Sequence, residues 1–149
     1  MNAETTIPQR LQEIIEDFQL SQGREKLELL LEFADSLPPL PAHLQANHDQ
    51  MEAVPECMTP VFVQSEYQNG KMTFHFDAPP ESPTVRGYAA IMVEGMAGAT
   101  PQQVLNVPND FYQQMGLDQV LSNQRLNGMI AILAHMKRLA VEALEEREA

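Results

Sequence analysis

Apolar residues recur at helical spacing through the first third of the chain and predict two helices. Pro8 suits the first turn of the first helix, and Gly23 interrupts its pattern. The second helix spans residues 24 to about 36 and ends at Leu37–Pro41, because each proline disfavours a helical backbone in the residue before it. The predicted buried positions are Leu11, Ile14, Ile15 and Phe18 in the first helix, and Leu27, Leu30, Leu31 and Ala34 in the second.

The middle of the chain shows a two-residue alternation that predicts a β-hairpin. Residues 44–56 are polar and irregular, so we interpret them as a loop. The segment Pro60–Tyr67 is rich in β-branched and aromatic residues, and the Asn69-Gly70 pair that follows is a strong signal for a two-residue hairpin turn. A third strand is not evident. The predicted buried positions after the turn are Met72, Phe74 and Phe76.

The second half of the chain is predicted to be helical. Ser82, Thr100 and Ser122 are each placed to cap a helix, and Thr100 is followed three positions later by the glutamine of a capping box. Gly116 ends a short helix over residues 110–115. The predicted apolar face of the long last helix carries Leu126, Met129, Ile130, Leu133, Met136, Ala140 and Leu144.

Composition narrows the classes of protein to which these elements can belong. A chain of 149 residues, 44% of them hydrophobic, has the size of one globular domain, so we expect residues 1–149 to form a single unit. A single cysteine excludes an internal disulfide framework and any zinc or iron–sulfur site that needs several thiolates. The net charge of −12 argues against binding to nucleic acid or to an anionic membrane. The sequence shows neither an export signal nor a membrane-spanning run, so we expect a cytoplasmic protein.

Acidic residues are concentrated in one part of the chain. Residues 27–70 contain no Lys or Arg. Two interpretations fit this window: a surface that keeps the protein in solution, or a docking face for a basic patch on a partner. The acidic side chains of the window are Glu28, Glu32, Asp35, Asp49, Glu52, Glu56 and Glu66.

Cys57 is the first candidate for chemistry, because prolines at 55 and 60 place it in a loop that leads into a strand. Residues 58–63 lack the arginine of a cysteine phosphatase, and no histidine has the signature of a peptidase base. Disulfide exchange within the chain needs a second cysteine. A thiol that accepts sulfur from one protein and passes it to another needs only itself. The alternative is a small apolar residue without chemistry. We expect Glu56 to raise the pKa of the thiol.

Four motifs follow one another along the chain and together cover nearly all of it. They are Leu37–Pro41, Val54–Phe62 with Cys57, Glu81–Gly87, and Leu121–Met129 with its Ser-x-x-Arg-x-x-Gly pattern. In this order they resemble the SufE family of sulfur acceptors in iron–sulfur cluster assembly. Two positions depart from the family: Glu56 stands where a glycine usually precedes the cysteine, and Phe62 stands where the aromatic residue is often Trp.

The resemblance implies an α+β fold in which helices pack on one side of a small antiparallel sheet, as in SufE and IscU-like proteins. It implies a sulfur-transfer protein rather than an enzyme. Cys57 would accept persulfide sulfur from a SufS-like cysteine desulfurase, stimulate it, and deliver sulfur to a SufB/SufBCD-like scaffold. No cofactor is expected in this chain, because the pyridoxal phosphate belongs to the desulfurase. The implied site comprises Cys57, its loop neighbours Pro55, Glu56, Met58 and Thr59, and the supporting residues Arg125, Arg86 and Glu81.

Two other functions are compatible with the residues. One is an interaction module that performs no chemistry and has an inert cysteine. The other is an iron–sulfur scaffold, which a single cysteine makes unfavourable because scaffolds bind their cluster through several thiolates.

Overall fold

The computed structural model of the chain describes residues 6–148. Single turns of 3-10 helix lie at His48–Gln50 and Leu117–Gln119. The strands are β1 (Glu52–Ala53), β2 (Phe62–Gln68) and β3 (Lys71–Asp77). The helices of the described part are α1 (Gln9–Leu20), α2 (Arg24–Ala34), α3 (Ala42–Ala46), α4 (Pro83–Gly95), α5 (Pro101–Asn106), α6 (Phe111–Gln114) and α7 (Asn123–Glu148).

The sheet confirms the predicted hairpin. Its order is β1-β2-β3, with antiparallel neighbours, and Val63 lies opposite Phe76. Asn69 and Gly70 have φ angles of 55° and 78°, and positive values at both positions are what a two-residue hairpin turn of type I′ requires. Alternate residues of β3 are buried, beginning at Met72, so one face of the sheet lies against the core.

Helix α4 is the centre of the core and packs against α1, α2, β3 and α7. Its side chains are buried nearly all round, including Tyr88 and Ile91. Close approach to α2 requires a glycine at Gly87, because a Cβ there would collide with the backbone carbonyl oxygen of Leu30. The arrangement of helices around one small antiparallel sheet confirms the predicted α+β fold.

The face predicted for α2 is partly wrong. Leu31 is 36% exposed, whereas Lys26 is only 7% exposed. The Lys26 ammonium donates to the carbonyl oxygens of Phe18, at 3.0 Å, and of Ser21. Lysine therefore enters the core because its long stem packs like an apolar chain while its charged end binds the free carbonyls at the end of α1.

The predicted loop over residues 44–56 is also more ordered than expected, since it contains most of α3, a 3-10 turn and β1. This segment crosses the outer face of the hairpin. His43 Nε2 lies 2.9 Å from Glu66 Oε1, and His48 Nε2 lies 2.7 Å from Asp77 Oδ2. Short elements of this kind escape detection by periodicity, because two to five residues do not complete a repeat.

Two of the three helix caps predicted from the sequence are present in the structure. Thr100 forms the predicted capping box at the start of α5, and the Ser122 hydroxyl accepts a hydrogen bond from the Arg125 amide at 3.4 Å. Ser82 precedes α4, but its side chain makes no capping hydrogen bond. Among the helices of residues 6–148, none is long and apolar enough to cross a membrane.

Candidate functional site

Cys57 lies in the loop that connects β1 to β2. The loop is closed at its base, because the Val54 amide donates to the Val61 carbonyl oxygen at 2.9 Å. The Cys57 amide donates to the Val54 carbonyl oxygen at 3.2 Å, which forms a turn inside the loop. Of the described non-glycine residues, only Asn69 has a positive φ, so Glu56 replaces the usual glycine without backbone strain.

The thiol is seated against the first turns of α7. Cys57 Sγ lies 3.7 Å from the carbonyl oxygen of Gly128. A Cβ built at Gly128 would lie 3.2 Å from that sulfur, which is closer than ordinary van der Waals contact. The absence of a side chain at Gly128 therefore makes room for the thiol, and this glycine belongs to the fourth sequence motif.

Burial and a neighbouring charge both oppose ionisation of the thiol. Burial is the larger effect and the Glu56 carboxylate the smaller one, and together they raise the pKa of Cys57 to about 11. Since this value lies four units above neutral pH, only about one thiol in ten thousand is a thiolate there. The Glu56 effect agrees with the expectation from the sequence, whereas the dominant effect of burial was not predicted. Beneath the site, burial and then the charge of Cys57 raise the pKa of Tyr88.

A cleft of about 290 Å³ opens beside the thiol. It is lined by residues at the starts of α4 and α7, where the helix dipoles place partial positive charge. Met58 stands at its rim with 77% of its surface exposed. The lining residues are Cys57, Met58, Thr59, Glu81, Ser82, Val85, Gln124, Arg125 and Gly128.

The supporting residues suggested by the resemblance have different positions. Arg125 and Glu81 line the cleft, and the Arg125 guanidinium donates to the Thr84 hydroxyl at 2.5 Å. Arg86 instead donates to the carbonyl oxygen of Ala78 at 2.7 Å. Arg86 therefore fastens the segment before α4, and only Arg125 and Glu81 reach the surroundings of the thiol.

Three loop neighbours of Cys57 are presented to the surface. Pro55, Glu56 and Met58 are exposed, while Thr59 is half-buried and lines the cleft. Exposed side chains on both sides of a half-buried thiol make the loop, rather than the sulfur, the first part of the site that another protein would meet.

Sequence reasoning missed a group of charged residues beside the loop. His135, on α7, places Nε2 3.2 Å from Glu56 Oε1 and Nδ1 against Glu52. Arg138 also pairs with Glu52. A histidine and an arginine three positions apart are on one helix face, but no local pattern links them to carboxylates about 80 residues away.

The acidic window of residues 27–70 is partly neutralised within the described structure. Glu52 is only 17% exposed and is paired with α7, and Glu66 lies against two histidines. Asp49 is exposed in its 3-10 turn. No group of three or more His, Cys, Asp or Glu residues within the described range is arranged to hold a metal ion.

Comparison with known proteins gives a consistent match along the chain. The family model described as "SufE: Fe-S metabolism associated domain" matches residues 12–140. An uncharacterised SufE-like protein of Mycobacterium tuberculosis is 44% identical over 144 residues, which cover 96% of this chain and 99% of that protein. The cysteine desulfuration protein SufE of Plasmodium vivax is 26% identical over 113 residues, which cover 74% of this chain and 43% of that protein.

The fold has a solved counterpart as well. The solution structure of a hypothetical protein from Thermus thermophilus superposes with a TM-score of 0.83. The two chains are 34% identical, and the match covers 94% of this chain and 99% of the other. Because the family model covers the Cys57 loop and both helix starts that surround it, the chain belongs to the SufE family, whose domain is associated with iron–sulfur metabolism.

Proposed function

We propose that this protein is a cytoplasmic sulfur carrier that accepts sulfur on Cys57 from a pyridoxal-phosphate-dependent cysteine desulfurase, stimulates that enzyme, and delivers the sulfur to an iron–sulfur scaffold. The observation that carries the proposal is the position of the chain's single thiol, on a closed loop beside a cleft, in a SufE-family domain. The pyridoxal phosphate is part of the desulfurase.

The transfer is a thiolate attack on sulfur. The Cys57 thiolate attacks the outer sulfur of a persulfide on the desulfurase. A new S–S bond forms to Cys57, the old S–S bond breaks, and the desulfurase cysteine leaves as a thiolate. The Cys57 proton is lost to solvent or to a base on the partner, and the pair of proteins undergoes no net oxidation or reduction. Delivery to the scaffold repeats the exchange with an acceptor thiolate there.

One feature of the site sets a condition on this role and another supports it. The raised pKa keeps the thiol of the free protein protonated, so the transfer requires a partner that lowers the pKa of Cys57 or exposes its sulfur. The cleft beside the thiol offers room for one additional sulfur atom between the positive ends of two helices, which favour an anion. The Arg125 side chain adds a positive charge to the same cleft.

Intact mass spectrometry without reductant tests the proposal. The protein is mixed with an active cysteine desulfurase and free cysteine, and we expect a gain equal to the mass of one sulfur atom. The gain should disappear in Cys57→Ser, which should keep its fold and no longer stimulate the desulfurase. Retained stimulation by Cys57→Ser would refute the carrier role.

The competing function is an interaction module with an inert cysteine. It predicts that the protein stays unmodified with every active desulfurase supplied, and that Cys57→Ser leaves partner binding unchanged. Testing two desulfurases separates this outcome from a mismatched partner. The half-buried position of Cys57 is compatible with both functions, whereas the cleft at the sulfur favours the carrier.

A further inference from the structure

Helix α7 holds the Cys57 loop at two points. Gly128 lies under the sulfur, and His135, about two turns further along the helix, reaches Glu56. The side chain of His135 is 19% exposed, and that of Glu56 is 53% exposed. The histidine is therefore fixed by its surroundings, and the carboxylate of Glu56 is the partner that can move.

A second carboxylate fixes the histidine. His135 Nδ1 contacts Glu52, which is 17% exposed, belongs to β1 and also pairs with Arg138. Both ring nitrogens of His135 thus face carboxylate oxygens, which accept hydrogen bonds and do not donate them. Only the imidazolium form donates from both nitrogens. In the described structure the charged groups around the ring are Glu52 on β1, Glu56 on the loop and, through Glu52, Arg138 on α7 itself.

We propose that His135 is a positioning residue for the sulfur-accepting loop: its imidazolium holds Glu56 and thereby keeps Cys57 seated against Gly128. Since Glu56 adjoins Cys57, the thiol moves outward only when the Glu56 contact is stretched or broken. A basic group on a docking partner that pairs with Glu56 in place of His135 releases the loop. The purpose of this restraint rests on the proposed function, whereas the contact between His135 and Glu56 is present in the protein without any partner.

If the role of His135 were purely electrostatic, its replacement would change the alkylation rate of Cys57 in the direction opposite to that expected from release of the loop. In that case the imidazolium only compensates the Glu56 charge, which itself raises the pKa of the thiol. Replacing His135 by a neutral residue would then lower the thiolate fraction and slow alkylation of Cys57. If His135 instead holds the loop closed, the same replacement exposes the thiol and accelerates alkylation. The sign of the change therefore distinguishes the two roles.

The experiment measures loop opening in the full-length protein without a desulfurase. Hydrogen–deuterium exchange of the Val54 and Cys57 amides reports the two hydrogen bonds that close the loop, and iodoacetamide reports the thiol. We expect His135→Gln to accelerate both by about two- to fivefold, as for loss of one partly exposed ion pair. The control is Lys137→Gln, which removes a charge from the same helix, where Lys137 binds Asn109 at 2.7 Å, and should leave both rates unchanged.

Two further variants keep the test decisive if His135→Gln is poorly folded. Glu56→Gln breaks the contact from the exposed side and should accelerate amide exchange by the same factor, with no further gain in the double variant. His135→Lys retains a cation and should restore slow exchange.

Unchanged exchange in both His135→Gln and Glu56→Gln would overturn the inference. Alkylation that becomes slower in His135→Gln while exchange stays constant would assign the histidine the electrostatic role alone. Rapid exchange in His135→Lys equal to that in His135→Gln would also overturn it, since packing rather than charge would then be responsible. None of these results depends on a desulfurase, so they stand apart from success or failure of sulfur loading.

Discussion

Replacing Gly128 by alanine should make the protein more stable and its thiol more reactive. The added Cβ would lie 3.2 Å from Cys57 Sγ, so the sulfur must move outward by a few tenths of an ångström. Alanine in a helix interior is favoured over glycine by about 1 kcal/mol. Turning the Cys57 side chain away from the new Cβ costs about 0.5 kcal/mol, the low end for a side chain displaced from its rotamer. The expected net gain is about 0.5 kcal/mol, or about 1–2 °C in Tm.

The effect on reactivity follows from the cause of the raised pKa. Burial is the larger reason that Cys57 titrates at about 11 instead of the ordinary 9.0. Complete restoration of the ordinary value would increase the thiolate fraction near neutral pH by about a hundredfold. A displacement of a few tenths of an ångström relieves only part of the burial. We therefore expect iodoacetamide to react about three to ten times faster with Gly128→Ala than with the wild type at pH 8.

Thermal unfolding and alkylation kinetics check these two values on the same samples. Asn127→Ala is the matched control, because residue 127 is exposed on the same helix turn and also gains helix propensity. It should be stabilised without any change in alkylation rate. A Gly128→Ala protein that alkylates at the wild-type rate would refute the seating of Cys57 against Gly128.

The same substitution in α4 should lower the free energy of unfolding, because the Cβ of Gly87→Ala would lie against the Leu30 carbonyl oxygen. Overpacking costs about 3 kcal/mol and the helix propensity of alanine returns about 1 kcal/mol, so urea unfolding should show a net loss of about 2 kcal/mol. A Gly87→Ala protein as stable as the wild type would contradict the close packing of α2 and α4. The raised pKa of Cys57 predicts that alkylation accelerates about tenfold per pH unit from pH 7 to 10, and a plateau below pH 9 would be inconsistent with it. The pKa of Cys57 is 9.0 in the unfolded chain and about 11 in the folded protein, so the stability contributed by the neutral thiol is fully present below pH 9.0 and is lost as the pH rises toward 11. The free energy of unfolding of Cys57→Ser should lack this decrease with pH.

Long periodic elements could be predicted from the sequence, and short ones could not. The apolar stripe of α1 is buried as expected, and the Asn69-Gly70 turn has the predicted geometry. The helix α3 and the strand β1 were missed, because their stability comes from contacts with the hairpin rather than from their own residue pattern. Lys26 was missed because hydropathy ranks lysine as a surface residue.

The candidate site also contains one part that could be predicted from the sequence and one that could not. Cys57 could be identified from its loop and its family motif, both of which are local in the sequence. His135 could not, because its relation to Glu56 depends on how α7 crosses the loop. If the acidic window of residues 27–70 is a docking face, Asp49→Lys should weaken partner binding, and an unchanged affinity would refute that interpretation. Glu52 is unsuitable for this test, since it pairs with Arg138 and its replacement would disturb the loop.

The buried Lys26 gives the protein a second intrinsic reporter. The chain has only three lysines, and Lys26 is 7% exposed, with its ammonium held by the carbonyls that end α1. An amine-specific label applied to the native protein should therefore modify the exposed Lys71 and leave Lys26 untouched until α1 and α2 separate. Amine labelling then follows opening of the helical core, and thiol labelling follows opening of the loop. The two events can be timed independently in the wild-type chain, without an engineered probe.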